Sequence, residues 1–482
     1  MLTTLTVTER CTFVPPYLLR HVAATGDEAI RSSSGRTLAT DAALRARRVG
    51  AGRQPTAPGD DVQAAQETRV IHSADNTETL PGRRVRADGD PVSGDAPVDE
   101  AFDSSGQVLS LFADQFGRRS VDGQGGTLSV TVHYGDRYDN AFWDGSQLVF
   151  GDGDGEIFDR FTKPMDVMAH EFTHGVTQYT AGLTYQGQSG ALNESVSDVF
   201  ASMAKQHASG ETAAEADWLI GEGLFLPTVN AKALRSMIEP GTAYDDPRLG
   251  RDPQVGSMDD YVETDEDNGG VHINSGIPNR AFALAAIAIG GFSWEQTGKI
   301  WYEALTAGDV GADTDFAGFA RATVSAAGRL FPEDVRVAQK VREAWSQVKV
   351  LATTDLTPTP THASEPRAAA EIGRTAETDS GSLPAAPTRA GKIAVRRTGG
   401  FAGITRMAEL DLDSSPHGPE VRQLLLDTDL RQLVGKASPA RDRFVYTVEF
   451  GSVHMNLPEH QLTPELHKVV QIVLDNGDQP SS

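Results

Sequence analysis

The stretch Val167–Gln178, "VMAHEFTHGVTQ", constrains this chain more than any other. It places His170 and His174 four residues apart with Glu171 between them. The apolar spacing predicts an amphipathic helix, and helix geometry puts residues i and i+4 on one face. Two imidazoles could therefore bind one metal ion while Glu171 projects beside them. Taken alone, the stretch also fits an ordinary helix with two surface histidines.

A second predicted helix supplies a further ligand. The stretch "GALNESVSD" carries Glu194 and, four residues later on the same face, Asp198. A catalytic zinc ion takes three protein ligands and keeps one open position, and two His plus one Glu is one such set. Asp198 can accept the second ring N–H of a ligating histidine and so fix its tautomer. We therefore predict one Zn²⁺ held by His170, His174 and Glu194.

Composition narrows the class of protein. At 482 residues the chain is long enough for two or three domains. Its formal net charge of −24 repels phosphate backbones, so we expect no nucleic acid partner. The single cysteine, Cys11, excludes an intrachain disulfide. No signal sequence or membrane span is recognisable, which predicts cytoplasmic synthesis and leaves both retention and a non-classical exit open.

The pattern along the chain predicts an α+β protein in five segments. Strand-like runs such as "TLSVTVHYG" precede a series of helical patterns, a Pro/Thr/Ala/Ser-rich stretch follows, and strand-like runs then return. The tail of the first segment, "LRARRVGAGRQPTAPGDD", is typical of an exposed, cleavable connector. The predicted segments are an N-terminal piece (1–50), a β-rich lobe (51–165), a helical lobe (166–350), a linker (351–390) and a small α+β domain (391–482).

Four stretches carry a resemblance to a known family: "DNAFWDGSQLVFGDGDG", "MDVMAHEFTHGVTQYTAGLTYQGQSGALNESVSDVF", "LRSM" and "DNGGVHINSGIPNRAF". Together they resemble the thermolysin family of zinc metalloendopeptidases over most of residues 69–350. The resemblance implies a two-lobed peptidase in which Glu171 is the general base. It also implies that His272 and Tyr185 stabilise the oxyanion and that Asp267 holds the His272 imidazole.

The same resemblance implies a substrate cleft. Asn140 and Ala141 match an edge segment that binds the substrate backbone, and Arg235 matches a residue that binds a substrate carbonyl. Phe158, Val167 and Leu234 match the apolar pocket for the residue after the cut bond, which implies a preference for bulky hydrophobic side chains. From residue type alone, Asn140 could instead cap a turn, Arg235 could form a structural ion pair, and the apolar residues could simply be core.

The family's calcium cluster is matched only in part. Asp166, Asp217 and Glu222 stand at its carboxylate positions, whereas Lys205 and Leu219 replace two others. A lysine ammonium would replace part of the cation charge, and Ca²⁺ prefers about 6–8 oxygen ligands. We therefore expect no two-ion site, while one weaker Ca²⁺ stays open.

The N-terminal "VPPYLL" resembles the short precursor segment of protealysin-type members. This implies that Pro15, Pro16, Tyr17 and Leu18 pack on the catalytic domain as a propeptide until they are cut away, and Pro-Pro favours an extended segment there. A plain N-terminal tail is the alternative. Cys11 could offer a thiolate to the open metal position or could make a small apolar contact.

The last segment, about residues 391–476, resembles emfourin, a small inhibitor of protealysin-like enzymes. A tether would then raise its effective concentration and restrain the peptidase in cis. The alternative is a module that binds substrate, a surface or another protein. His454 has no partner at ligand spacing and is interpreted as structural or interfacial. A catalytically silent scaffold is the second function considered, although Glu171, His272 and Asp267 together favour an enzyme.

Overall fold

The computed structural model describes residues 12–46, 68–352, 392–398, 406–412, 414–427, 445–450, 453–458 and 464–476. The chain divides into two compact units, Met1–Thr361 and His362–Ser482. The hypotheses about Cys11, about the connector that follows residue 46 and about nearly all of the linker concern residues outside this description. Within the described ranges, every helix is too short or too polar to cross a bilayer.

The first unit begins with a short extended stretch and two helices, α1 (Pro16–Thr25) and α2 (Glu28–Ala46). The prediction of an extended Pro-Pro segment is right for Pro15, whose ψ is 145°, and wrong for Pro16, which begins α1. A proline suits the first helical position because the N–H that it lacks would have no intrahelical partner there. Leu18, Leu19 and Val22 of α1 are buried in the same core as the rest of this unit.

A five-stranded mixed sheet with the order β2-β1-β3-β5-β4 forms the N-terminal lobe. The inner pairs β1·β3 and β3·β5 are parallel and the outer pairs are antiparallel. The strands are β1 (Arg69–Ser73), β2 (Arg83–Ala87), β3 (Leu128–Val132), β4 (Ala141–Trp143) and β5 (Leu148–Phe150).

This lobe also contains a long helix that we did not predict, α3 (Ala96–Phe116). Its buried face includes Val98, Phe102, Val108 and Phe112, so helical periodicity was present in the sequence. A parallel pairing of β1 with β3 requires a long crossover, and α3 lies within that connection.

Two helices at the centre of the unit, α4 (Met165–Gln178) and α5 (Gly187–Ser209), position most of the candidate site. Every α4 residue from Asp166 to Thr177 is buried. Contacts join His174 to Asn193 and His170 to Asp198, so α4 and α5 run antiparallel.

The helical lobe continues with α6 to α10, and the predicted two-lobed α+β fold is confirmed. Two small antiparallel pairs, β6·β7 and β8·β9, precede these helices. The elements are β6 (Leu219–Ile220), β7 (Arg235–Ser236), β8 (Asp245–Asp246), β9 (Gly250–Arg251), α6 (Asp267–Asn274), α7 (Gly276–Ile289), α8 (Gln296–Thr306), α9 (Phe316–Leu330) and α10 (Val335–Gln347).

The second unit is the predicted small α+β domain. Its antiparallel sheet has the order β11-β10-β12-β13. Ile393, Val395 and Val448 of the sheet share a buried core with Val469 and Val473 of α12. The elements are β10 (Lys392–Thr398), β11 (Arg406–Asp411), α11 (Gly418–Asp427), β12 (Val445–Phe450), β13 (Val453–Pro458) and α12 (Pro464–Asn476). The register places His454 opposite Glu449.

Candidate active site

Three predicted ligands converge between α4 and α5. The Nε2 atoms of His170 and His174 lie 2.9 Å apart. Glu194 Oε2 is 3.5 Å from His170 Nε2, and Glu194 Oε1 is 3.6 Å from His174 Nε2. Ligand atoms about 2.0–2.2 Å from one tetrahedral ion lie roughly 3.3 Å from each other, so this donor set fits a single zinc ion. Among the described residues, this is the one His/Cys/Asp/Glu group found whose atoms could hold a metal.

The electrostatics of this group also suit a cation. Burial acts to raise the pKa of Glu194, but the charges of His272, His174 and His170 outweigh it and hold the pKa well below its usual value. Burial lowers the pKa of His174 to about 4, so this imidazole is neutral at pH 7 and can act as a ligand. The site therefore offers one carboxylate and at least one unprotonated imidazole nitrogen in a water-excluded space.

A buried set of polar residues orients both imidazoles. His170 Nδ1 donates a hydrogen bond of 2.8 Å to Asp198. His174 Nδ1 lies 2.9 Å from Asn193 Oδ1 and 3.1 Å from Ser197 Oγ. Asp198 was predicted from the sequence, whereas Asn193 and Ser197 were not, although both lie near Glu194 on the side of α5 that contacts α4.

The Asp198 carboxylate also holds Arg235. Its Nε and Nη2 atoms donate to the two oxygens of Asp198 at 2.8 and 2.7 Å, and Asn279 Nδ2 donates to Asp198 at 2.8 Å. The structural ion pair, which is the alternative role for Arg235, is thus present. It leaves Nη1 facing the cleft, where it donates to the carbonyl of Phe13 at 3.2 Å. Asn279 was not predicted.

Glu171 is a strongly perturbed acid next to the candidate metal ligands. It is fully buried, and burial raises its pKa to about 8. No described residue makes a hydrogen bond of normal geometry to either of its oxygens, although the nearby Trp143 backbone acts to lower the pKa. A buried carboxylate without such a bond is costly unless a substrate or water completes it, which is typical of functional acids.

His272 is placed by an unusual turn of backbone. Residues Asp267, Asn268, Gly269 and Gly270 have φ values of 51°, 52°, 81° and 74°, so four consecutive residues are left-handed. The turn lets Asp267 accept from His272 twice, at 2.9 Å from the backbone N–H and 2.6 Å from Nδ1. With its Nδ1–H held there, His272 directs Nε2 into the cleft.

Tyr185 lies at the same end of the cleft. Its hydroxyl donates to Glu194 Oε1 at 2.5 Å and is 3.3 Å from His272 Nε2. The structure therefore brings Tyr185 and His272 together, with the Tyr185 hydroxyl bonded to a candidate metal ligand rather than to a peptide carbonyl.

The cleft residues bind the chain's own N-terminal segment. Asn140 exchanges two hydrogen bonds with the backbone of Val14, at 2.8 and 3.2 Å, and the carbonyl of Ala141 accepts from the N–H of Phe13 at 3.0 Å. Phe158, Val167 and Leu234 are buried in the same core as Phe13 and Leu18. The segment thus occupies the cleft that the sequence predicts for substrate.

Helix α2 adds a contact that the sequence analysis missed. Asp41 is buried and accepts from Tyr138 Oη at 2.5 Å and from Asn140 Nδ2 at 3.0 Å. Ser33 donates to Asp139 at 2.9 Å. Two turns of α2 are therefore bonded to the segment that carries Asn140. The amphipathic signal of α2 is weak because small and polar residues make these contacts.

Lys205 supplies a positive charge to the carboxylates that match the family's calcium positions. Lys205 Nζ donates to Asp217 and to Glu222, both at 2.8 Å. Asp166 is buried nearby and accepts from the N–H of Gly221 at 2.8 Å. Burial raises the pKa of Asp166 to about 6 although the charge of Lys205 acts to lower it. Leu219 pairs with Ser236 between β6 and β7.

Comparison with known families accounts for this arrangement. Residues 60–178 match the family "Thermolysin metallopeptidase, catalytic domain", and residues 181–350 match "Thermolysin metallopeptidase, alpha-helical domain". Residues 395–474 match the family "Emfourin". The chain belongs to the thermolysin family of metallopeptidases and carries an emfourin domain.

Individual relatives agree with this assignment. The chain is 50% identical to the "Extracellular metalloprotease" of Pectobacterium carotovorum subsp. carotovorum over 70% of its own length and 96% of that protein. It is 43% identical to "Protease PrtS" of Photorhabdus sp. (strain Az29) over 70% of its length and 91% of that protein. The structure of the "Precursor of Protealysin" from Serratia proteamaculans matches with a TM-score of 0.64 and 50% identity, covering 71% of this chain and all of that one. The protein is a metallopeptidase.

Proposed function

We propose that this protein is a zinc endopeptidase that cuts before bulky hydrophobic residues and is made as a precursor. The convergence of His170, His174 and Glu194 beside the buried Glu171 is the observation that carries this proposal. The N-terminal segment is its first restraint, and the emfourin domain is its second. Protein and peptide chains are the substrates.

Zinc held by His170, His174 and Glu194 would polarise the substrate carbonyl and lower the pKa of the attacking water. Glu171, buried beside these ligands, takes a proton from the attacking water and passes it to the leaving amine. Asp198 keeps the His170 ring in one tautomer, because it accepts the proton on Nδ1.

His272 and Tyr185 serve the developing oxyanion. Asp267 holds Nδ1 of His272 at 2.6 Å and leaves Nε2 3.1 Å from the Thr12 carbonyl, so Nε2 is placed to donate to an oxyanion. The charges of Asp267 and Glu194 raise the pKa of this imidazole, although burial acts to lower it. A preorganised donor of this kind is worth about 2.7–4 kcal/mol in comparable sites. Tyr185 adds a second donor once its hydroxyl turns from Glu194 toward the substrate.

Substrate binding is assigned to the groups that hold residues 13 and 14. The Asn140 side chain and the Ala141 carbonyl form hydrogen bonds with the backbone of an extended chain, and Arg235 Nη1 binds the carbonyl of the residue after the cut bond. Phe158, Val167 and Leu234 line the pocket for that residue's side chain. The apolar side chains of these three residues give the preference for bulky hydrophobic groups.

The carboxylates at the family's calcium positions have a narrower role. Lys205 takes the place of calcium charge, which leaves at most one weak Ca²⁺ site at Asp166, Asp217 and Glu222. Because one close relative is named an extracellular metalloprotease, we extend the proposal to action outside the producing cell. Detection of the protein in culture supernatant, against a cytoplasmic marker, tests that extension.

The proposal is tested by azocasein hydrolysis with metal content measured in parallel. The forms compared are the full chain, a chain that ends at Ala352, and that shorter chain with Glu171→Ala. We expect one zinc in each form, highest activity in the shorter chain and loss of activity in Glu171→Ala. Equal activity of the full chain and of the chain that ends at Ala352 would contradict a restraint by the emfourin domain. Zinc-loaded forms that cleave nothing after removal of residues 1–46 would instead favour the silent scaffold.

A further inference from the structure

The backbone of Thr12–Val14 is held by five hydrogen bonds from the cleft. His272 Nε2 donates to the Thr12 carbonyl at 3.1 Å. The Phe13 N–H donates to Ala141 at 3.0 Å and the Phe13 carbonyl accepts from Arg235 at 3.2 Å. The other two bonds are those that Asn140 exchanges with Val14.

The order of these hydrogen bonds along the segment shows its chain direction in the cleft and which of its peptide bonds faces the candidate catalytic groups. A donor that serves the oxyanion must face the carbonyl of the bond to be cut, and His272 faces the carbonyl of Thr12. Phe13 then stands in the position after that bond, and its carbonyl lies on Arg235. The segment therefore runs in the direction of a substrate rather than in reverse.

The side chain of Phe13 agrees with this reading. Its ring is fully buried and packs edge-on against His170 with centroids 5.0 Å apart. The Arg235 guanidinium lies 4.7 Å from the ring centroid. Gly221, with φ of 74°, forms part of the wall, since a Cβ there would lie 3.4 Å from Phe13 Cε1 and 3.1 Å from Leu234 Cβ. A bulky apolar residue thus follows the Thr12 carbonyl beside a candidate metal ligand.

We propose that Thr12–Phe13 is a self-processing bond, which the precursor hydrolyses in cis. This inference rests on the proposed peptidase function. The oxygen of one water molecule bonds to the Thr12 carbonyl carbon, the C–N bond to Phe13 breaks, and both protons of that water end on the Phe13 nitrogen, transferred in turn by Glu171. The products are a peptide that ends in the Thr12 carboxylate and a chain that begins with the Phe13 ammonium.

The cut trims the precursor without releasing its helices. Val14, Leu18, Leu19 and Val22 remain buried in the core after Thr12 leaves. Asp41 also keeps its bonds to Tyr138 and Asn140. A chain that begins at Phe13 should therefore still be restrained, and complete activation needs a later cut beyond α2.

The test follows the N-terminus of the zinc-loaded full chain by intact mass and N-terminal sequencing. We expect a product that begins at Phe13, formed at a rate that stays the same when the protein is diluted a hundredfold. Glu171→Ala should leave the bond intact. Phe13→Leu should retain the cut, whereas Phe13→Gly should slow it by about tenfold or more because the pocket loses its apolar contact.

Protection of the N-terminal segment can be measured without self-cleavage in the Glu171→Ala chain. Added chymotrypsin, which cuts after aromatic residues, should spare Phe13–Val14 in this chain and should cut there faster once Asn140→Ala removes two of the five hydrogen bonds. Tyr17 in α1 serves as the internal reference bond.

The outcomes separate the two proposals. If a form freed of residues 1–46 cleaves azocasein while the full chain keeps Thr12–Phe13 intact, the self-processing inference fails and the peptidase stands. If the rate falls on dilution, one molecule cleaves another, and the inference of cleavage in cis is overturned. If no form cleaves any bond with zinc present, the proposed function itself fails.

Discussion

Two clusters of ionisable residues, each with at least one member on α5, balance their carboxylate charge in different ways. In the first, His170 and His174 surround the carboxylate of Glu194, and the arrangement fits an added cation. In the second, Asp217 and Glu222 surround the ammonium of Lys205. Buried or crowded carboxylates need a counter-charge, which a metal or a lysine can supply. The first cluster thus fits an added metal ion, whereas the second contains a lysine that supplies the positive charge.

The largest expected effect comes from breaking the first cluster. His174→Ala removes one of three zinc ligands, so we expect the zinc content to fall far below one per chain. Changes in residues that only support ligands cost 10–100-fold in affinity or activity, and loss of a ligand should exceed about 100-fold in activity. Metal analysis and azocasein hydrolysis measure both. His207→Ala, outside the cluster, is the matched control and should leave both values unchanged.

The next largest effect concerns Asp198, which accepts hydrogen bonds from both His170 of the first cluster and Arg235 of the cleft. Asp198→Asn removes a buried charge that accepts hydrogen bonds from His170, Asn279 and, twice, Arg235. Leaving Arg235 buried without its partner should lower the free energy of unfolding by about 3–5 kcal/mol. Urea unfolding of the metal-free protein measures this. A loss below about 1 kcal/mol would mean that Arg235 finds another partner or water.

The titration of Asp166, which lies near the second cluster, should make the free energy of unfolding depend on pH. Its pKa is about 6 in the fold against 3.8 unfolded, so the folded state binds the extra proton between these values. Its contribution to stability is therefore present below about pH 4 and is lost as pH rises through about 6. The free energy of unfolding should decrease over this range by up to about 3 kcal/mol relative to Asp166→Asn. If the two proteins show the same pH dependence, Asp166 is already ionised at pH 4 in the fold.

The smallest expected effect comes from the second cluster. Lys205→Met leaves Asp217 and Glu222 without their shared cation, but both are largely exposed, so the loss should be about 1 kcal/mol or less. Millimolar Ca²⁺ should barely change the Tm of the parent chain and should raise that of Lys205→Asp, which offers a fourth carboxylate. Equal Ca²⁺ responses of the two proteins would contradict a lysine substitute for calcium.

Sequence periodicity and spacing settled the local features of this protein. The apolar pattern predicted both helices, and the spacing of His170 with His174 and of Glu194 with Asp198 predicted which side chains share a face. The family resemblance then carried the two-lobed fold and the emfourin domain, both of which are confirmed. Helix α3 was missed although its apolar spacing was visible, since strand-like neighbours dominated the reading of that region.

Only the tertiary structure decided which distant groups meet. Asn193, Ser197, Asn279 and Asp41 acquire their contacts from the packing of α2, α5 and α7 around the cleft, and no local pattern marks them. Likewise, the left-handed turn at Asp267–Gly270 and the seat of Phe13 beside His170 depend on chain segments that are far apart in sequence. Local sequence dictates helix faces and ligand types, whereas long-range packing dictates which backbone carbonyl lies in front of His272.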